Sequence, residues 1–138
     1  MIKHNRGLLF VPLLLCGCAN TSAQASIFAD SECASAYEHH FLNRAAQSGD
    51  LIGVELLLRN GANPNGYAND NYVSCVAGIE LGSALLPAVT RRHYEVVEAL
   101  LKAGANPFLP EGDGTTPYSA AKQSGDIRMI GLIERYRK

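Results

Sequence analysis

Tryptophan is missing from the 138 residues, aromatic side chains make up only 7%, and charged residues only 18%. A chain so poor in charge and 47% hydrophobic does not have the composition of a disordered segment, so its main part is expected to fold. No charge of one sign dominates either. Twelve Lys and Arg stand against thirteen Asp and Glu, a formal charge of −1, which excludes the basic footprint of a nucleic-acid binder. The chemical signatures of an enzyme are missing as well: there is no Gly-rich phosphate loop, no His-Glu-x-x-His pair and no Gly-x-Ser-x-Gly nucleophile turn. No catalytic, cofactor-binding or metal-binding set is expected. The length suits one domain of ordinary size.

A long membrane-crossing run is also lacking. The apolar stretch from Gly7 to Leu15, behind Lys3, His4 and Arg6, is about half of the roughly 20 residues a helix needs to span a bilayer. It reads as an export leader, so residues 1–25 are set aside as signal and tether. Two processing sites compete within it. Leu15-Cys16-Gly17-Cys18 is similar to a bacterial lipobox, whose last Cys is lipidated, and Ala23-Gln24-Ala25 fits ordinary signal peptidase and would leave Ser26 first. We expect lipidation at Cys18. Ala19 and Asn20 after it resemble the outer-membrane sorting pattern, so the expected location is the periplasm, tethered to the outer membrane by acyl chains alone.

Removing Lys3 and Arg6 leaves ten bases against thirteen acids, a net charge of −3, and leaves Cys33 and Cys75 as the cysteines outside the leader. In an oxidising compartment such a pair reads as a disulfide. Closing a loop of that size would stabilise the fold by roughly 4 kcal/mol in the chain-entropy model. A free thiol pair, or a metal site shared with His39 or His40, is the alternative reading of these residues.

Self-comparison of the chain sets the architecture. Arg59-Asn60-Gly61-Ala62-Asn63-Pro64 recurs 43 residues later as Lys102-Ala103-Gly104-Ala105-Asn106-Pro107, and the same offset aligns Val54, Leu57 and Leu58 with Val97, Leu100 and Leu101. A third unit follows 33 residues on, where Gln123-Ser124-Gly125-Asp126-Ile127 mirrors Gln47-Ser48-Gly49-Asp50-Leu51. Three units of about 33 residues emerge, with an insertion between the first two.

Each unit reads as helix, tight turn, helix. The apolar residues at i, i+3 and i+4 line one helical face. Asp50 and Asp126 stand where a side-chain oxygen accepts the free N–H groups of the second helix. Gly61 and Gly104 fall where that helix ends in a left-handed residue. Thr116 and Pro117 combine a capping hydroxyl with a first-turn Pro. Helices of eight to ten residues are unstable alone, so stacking must supply the burial.

The motifs Gly61 to Asn65, Gly104 to Pro107, Glu95 to Leu101, and Thr116-Pro117 with Ala121 resemble those of the ankyrin-repeat family over roughly residues 40–135. The resemblance implies an all-α solenoid of about three helix-turn-helix units, near 40–65, 82–108 and 113–138, with an inserted loop at 66–81. The stretch around Ala34 to Phe41 would supply an N-terminal capping helix. Departures are visible: Arg92 replaces the turn Gly, His93 replaces the capping Asp, Pro87 lies within a first helix, and Glu134 stands where Leu58 and Leu101 are expected to be buried.

The resemblance also implies a module that binds a specific protein partner through first helices and turn tips, without enzymatic activity. Carried onto this sequence, the first-helix positions are Gln47, Ser48, Thr90, Arg91, Gln123 and Ser124, and the tips are Glu80, Gly82, Asp113 and Thr115. In the inserted loop, Tyr67 and Tyr72 are candidate anchors, because Tyr offers large area at low entropic cost. Phe108 and Leu109 form a second apolar pair, and His39, His40 and His93 read as packing or capping residues. The expected function is an immunity-type inhibitor, monomeric alone, that masks a toxic effector such as a periplasm-acting phospholipase. The alternative is an accessory protein that stabilises or positions a resident envelope enzyme such as a catalase.

Overall fold

The computed structural model describes residues 31–67 and 82–137, with side chains from Tyr37 onward. Residues 1–30 with Cys18, the side chain of Cys33, and residues 68–81 with Tyr72, Cys75 and Glu80 lie outside the described residues, and with them the expected lipidation site and disulfide. Six helices occur among the described residues: α1 Ser31–Ser48, α2 Leu51–Arg59, α3 Leu85–Thr90, α4 Tyr94–Lys102, α5 Pro117–Ser124 and α6 Ile127–Arg135.

Three hairpins stack in register. The first helices α1, α3 and α5 pack side by side in one layer, and the second helices α2, α4 and α6 in the other. Between the layers lie Leu42 and Leu85 from the first helices and Val54, Val97, Leu100, Met129 and Ile133 from the second, each at most 2% exposed. The expected apolar stripe therefore faces the core, with two of its six members, Leu57 and Leu58, only partly buried. Leu101 is buried but Leu58 is half-exposed, because it borders a surface groove beside the small Ala99 and Ala103.

The turn between paired helices is the same in the first two units. The N–H of Asp50 donates to the carbonyl of Ala45 at 2.9 Å, and that of His93 to Ala88 at 3.0 Å. The residue before each must be left-handed. Gly49 (φ 76°), Arg92 (φ 62°) and Gly125 (φ 67°) all are, so Arg92 accepts a conformation that costs a non-Gly residue about 1–2 kcal/mol. The caps follow the sequence reading. Asp50 accepts from the N–H of Gly53 and Asp126 from that of Met129, both at 2.9 Å. Thr116 and Ser119 satisfy each other's backbone N–H in a reciprocal box, with Pro117 in the first turn.

Two elements differ in length from the repeat pattern. The capping segment and the first helix of unit one are a single helix of 18 residues. The helix α3 has only six residues and starts one position later than α5 does in its unit. Pro87 is third in α3, where its missing N–H would have had no intrahelical acceptor, while its carbonyl still accepts from Arg91 at 3.0 Å.

Candidate interaction surface

Because the first helices stack side by side, their C-terminal ends form a row. Gln47 and Ser48, Thr90 and Arg91, and Gln123 and Ser124 come together there, and all but the half-buried Gln47 are exposed. The last residue of each first helix is a hydroxyl that bonds back to its own helix: Ser48 to Ala45, Thr90 to Pro87 and Ser124 to Ala121, at 2.9–3.1 Å. These bonds fold each hydroxyl back onto the last turn of its helix, where the carbonyls of Ala45 and Pro87 also accept from the N–H groups of Asp50 and Arg91. Arg91 and Gln123 are the long exposed side chains of the row.

A second row lies at the other end of the same helices, about 12 Å away along an eight-residue helix. Here Asp113 accepts from the N–H and the hydroxyl of Thr115, at 2.9 and 3.0 Å. Those donors hold its carboxyl below the usual carboxylate range, the backbone N–H first. Tyr67, 38% exposed, brings its hydroxyl to within 3.3 Å of where a side chain on Gly112 would begin. Tyr67, Asp113 and Thr115 therefore form one tip row, separate from the row of Gln47, Ser48, Thr90, Arg91 and Gln123. Gly82 lies on the tip of the second unit, where its carbonyl and that of Ser83 face the side-chain amide of Asn43 at 3.4 and 3.1 Å. Phe108 leans on Tyr118 with ring centroids 5.1 Å apart, and Leu109 beside it is 40% exposed.

The rows are held by side chains that bridge units. Asn65 donates to the carbonyl of Gly104 at 2.9 Å and accepts from the N–H of Asn106 at 2.7 Å. Glu111 reaches back to Ser83, accepting its hydroxyl at 2.5 Å and its N–H at 3.2 Å. At the inner turns, the ring of His93 forms no cap bond. It packs beneath Gly49, and its Nε2 lies 3.2 Å from the carbonyl of Gln47. The substitution of the capping Asp by His thus exchanges a local bond for a link between units one and two. Sequence reasoning missed Asn65, Glu111 and Asn43. An Asn directly after the Pro of the first tip, absent from the second, was the available signal for Asn65.

One polar cluster joins units two and three. The hydroxyl of Tyr94 donates to Asp126 at 2.9 Å, the guanidinium of Arg92 lies 3.5 Å from the same carboxylate, and Arg128 covers the Tyr94 ring at 4.0 Å. The N–H of Met129, then the Tyr94 hydroxyl, hold the Asp126 carboxyl below its ordinary value, and the carboxylate in turn raises Tyr94. His39 is lowered by burial, partly opposed by Glu38. His40 is buried at 6% exposure. Among the described residues no three His, Cys, Asp or Glu side chains converge as metal ligands. No helix among them is long and apolar enough to cross a membrane.

No protein-family model matches the chain. A probable E3 ubiquitin-protein ligase of Oryza sativa subsp. japonica is 33% identical over 91 residues, 65% of this chain and 16% of that protein. An ankyrin repeat-containing protein of Treponema pallidum (strain Nichols) is 33% identical over 92 residues, 67% of this chain and 28% of that protein. Among solved structures, an ankyrin repeat domain from Acinetobacter baumannii AYE is similar with a TM-score of 0.56 and 31% identity, over 69% of this chain and 46% of that one. The chain spans less than a third of the length of either curated relative.

Proposed function

We propose, from the premise that this chain is an ankyrin-repeat protein, that it is a protein-interaction module whose two exposed rows grip one partner. The observation that carries the reading is the division of labour among the side chains. Ser48, Thr90, Ser124, Asn65 and Glu111 use their polar atoms to hold the frame, while Arg91 and Gln123 extend from it exposed. A frame fixed in this way loses little entropy on binding. The ligase activity named for the rice relative belongs to that protein, 84% of which lies outside the match.

Within this reading the partner is a toxic effector that acts in the envelope, such as a phospholipase, and the chain is the inhibitor that masks it, tethered through Cys18. Size, the export leader and the lack of enzymatic motifs support it. The test is affinity capture with the lipid-free protein from periplasm, paired with survival of a strain lacking the gene under effector attack. Recovery of the effector and loss of survival are expected. Recovery of a resident enzyme such as a catalase, with survival unchanged, would replace immunity by an accessory role. Replacing Cys18 with Ser is expected to release the protein from membranes, read by fractionation; retention with Ser26 as the first residue would contradict the anchor.

A further inference from the structure

The two junctions between second helices are built differently. Where α6 meets α4, Leu132 and Leu101 are each 5% exposed and Tyr136 is half-buried. Where α4 meets α2, the same repeat positions carry Ala99, Leu58 and Ala103. The alanines do not replace the volume of Leu132 and Tyr136, and Leu58 is left half-buried. A groove of about 380 Å³ lies there, and past Ala99 it continues toward Leu51 as a hollow of about 210 Å³. The chain covers one junction with its own side chains, and among the described residues nothing covers the other.

Charge differs between the junctions in the same sense. At the second, Glu98 of α4 and Arg128 of α6 line one hollow with opposite signs. At the first, their counterparts are Glu55 and Glu95, both exposed. Among the described residues neither of these carboxylates is in an ion pair. Lys102 is taken up by Glu98 at 3.1 Å. The Nε of Arg59 donates to the backbone carbonyl of Glu55 at 3.3 Å, so its charge meets no carboxylate among the described residues. Unmet negative charge thus stands toward the start of α4, and unmet positive charge beside its end.

We propose that this groove takes one amphipathic helix of a partner protein, antiparallel to α4, with a leucine over Ala99, an aromatic side chain over Ala103 and a Lys or Arg over Glu55 and Glu95. The apolar pair is what Leu132 and Tyr136 supply at the next junction, four residues apart on one helix face. The charge order follows from Glu95 and Arg59. An antiparallel helix brings its base to the glutamates in its last turn and an acid to Arg59 in its first, the arrangement that the helix dipole favours. A cation between Glu55 and Glu95 also offsets the repulsion of two like charges. Anchors at successive turns are the helix-in-groove mode of recognition. The surface belongs to the second helices, so the proposal is independent of the rows on first helices and tips.

The test titrates the full chain with a synthetic helical peptide of about 15 residues that carries Glu, Tyr, Leu and Arg at successive turns, and with a control in which Glu and Arg are exchanged. Methyl NMR of Leu58, Ala99 and Ala103 reads the groove. The first peptide should shift these methyls saturably, and the control should bind at least about tenfold more weakly. Ala99→Leu, which places here the residue that stands at the same position as Leu56 and Leu132, should fill the groove and weaken the first peptide at least about tenfold without lowering the melting temperature. Glu95→Lys should weaken it with the groove left open. Equal binding of the two peptides, equal binding to wild type and Ala99→Leu, or no methyl shift at millimolar peptide would overturn the proposal. So would a dimer in sedimentation equilibrium whose formation shifts Ala99 and Ala103, since the occupant would then be a second copy.

Discussion

At the scale of single residues, the chain shows one conformational requirement met in two ways. The left-handed turn position is Gly in units one and three and Arg92 in unit two. Arg92→Gly would relieve about 1–2 kcal/mol of backbone cost. It would add about 0.5–1 kcal/mol of chain entropy to be lost on folding, and would remove an ion pair whose exposed Arg contributes about 0–1 kcal/mol. The terms nearly cancel, so denaturant titration should find a change within about 1 kcal/mol. Gly49→Ala has no such compensation. The new Cβ would meet the His93 ring at 2.7 Å at φ 76°, and a loss of more than 1 kcal/mol is expected, together with a weakened contact between His93 and Gln47.

Asp126 gives a pH signature at the same scale. Its carboxyl is held below the ordinary value by Met129 and Tyr94, so its stabilising effect is complete above the unfolded carboxylate value of about 3.9 and is lost as pH falls through the lower folded value. Thermal melts of Asp126→Asn from pH 2 to 7 should show a lower melting temperature at neutral pH and a shallower acid limb than wild type. Parallel acid limbs would place the acid sensitivity elsewhere. The cap at Asp126 was legible in the sequence because capping is local, three residues from donor to acceptor. The Tyr94 and Arg92 partners were not, since they lie 32 and 34 residues away and meet only when units stack.

At the scale of elements, α4 is the centre of the second layer, with Leu100 fully buried between α2 and α6. Leu100→Ala should cost about 2–5 kcal/mol, measured by urea unfolding, because neighbours on both sides prevent the cavity from collapsing. Helix pairs and their caps could be read from the 43- and 33-residue offsets. The continuity of α1 could not, because repeat matching begins near residue 40. Yet Ser31 to His40 contains no Gly or Pro, and no physical reason exists for a break. The late start of α3 was foreshadowed by Pro87. His93 as an inter-unit link was hidden, since its partner is a backbone carbonyl that carries no sequence signal.

At the scale of the whole molecule, a stack of three units is stable only as a set, since each pair buries one face against the next. The second helices are fastened across units by Tyr136, whose hydroxyl donates to Glu98 at 3.2 Å, beside the Glu98–Lys102 pair at 3.1 Å. The division of the candidate positions into a first-helix set and a tip set was legible from the repeat; the half-burial of Gln47 and Thr115 was not, because it depends on how neighbouring units pack. The central claim is that these rows make the contact with a protein partner. Its most direct measurement is a titration of the captured partner against wild type and the triple variant Arg91→Glu, Gln123→Glu, Asp113→Lys, with folding checked by circular dichroism. The account predicts at least about tenfold weaker binding, 1.4 kcal/mol, with the helical signal retained. Equal affinity of the two proteins would contradict it.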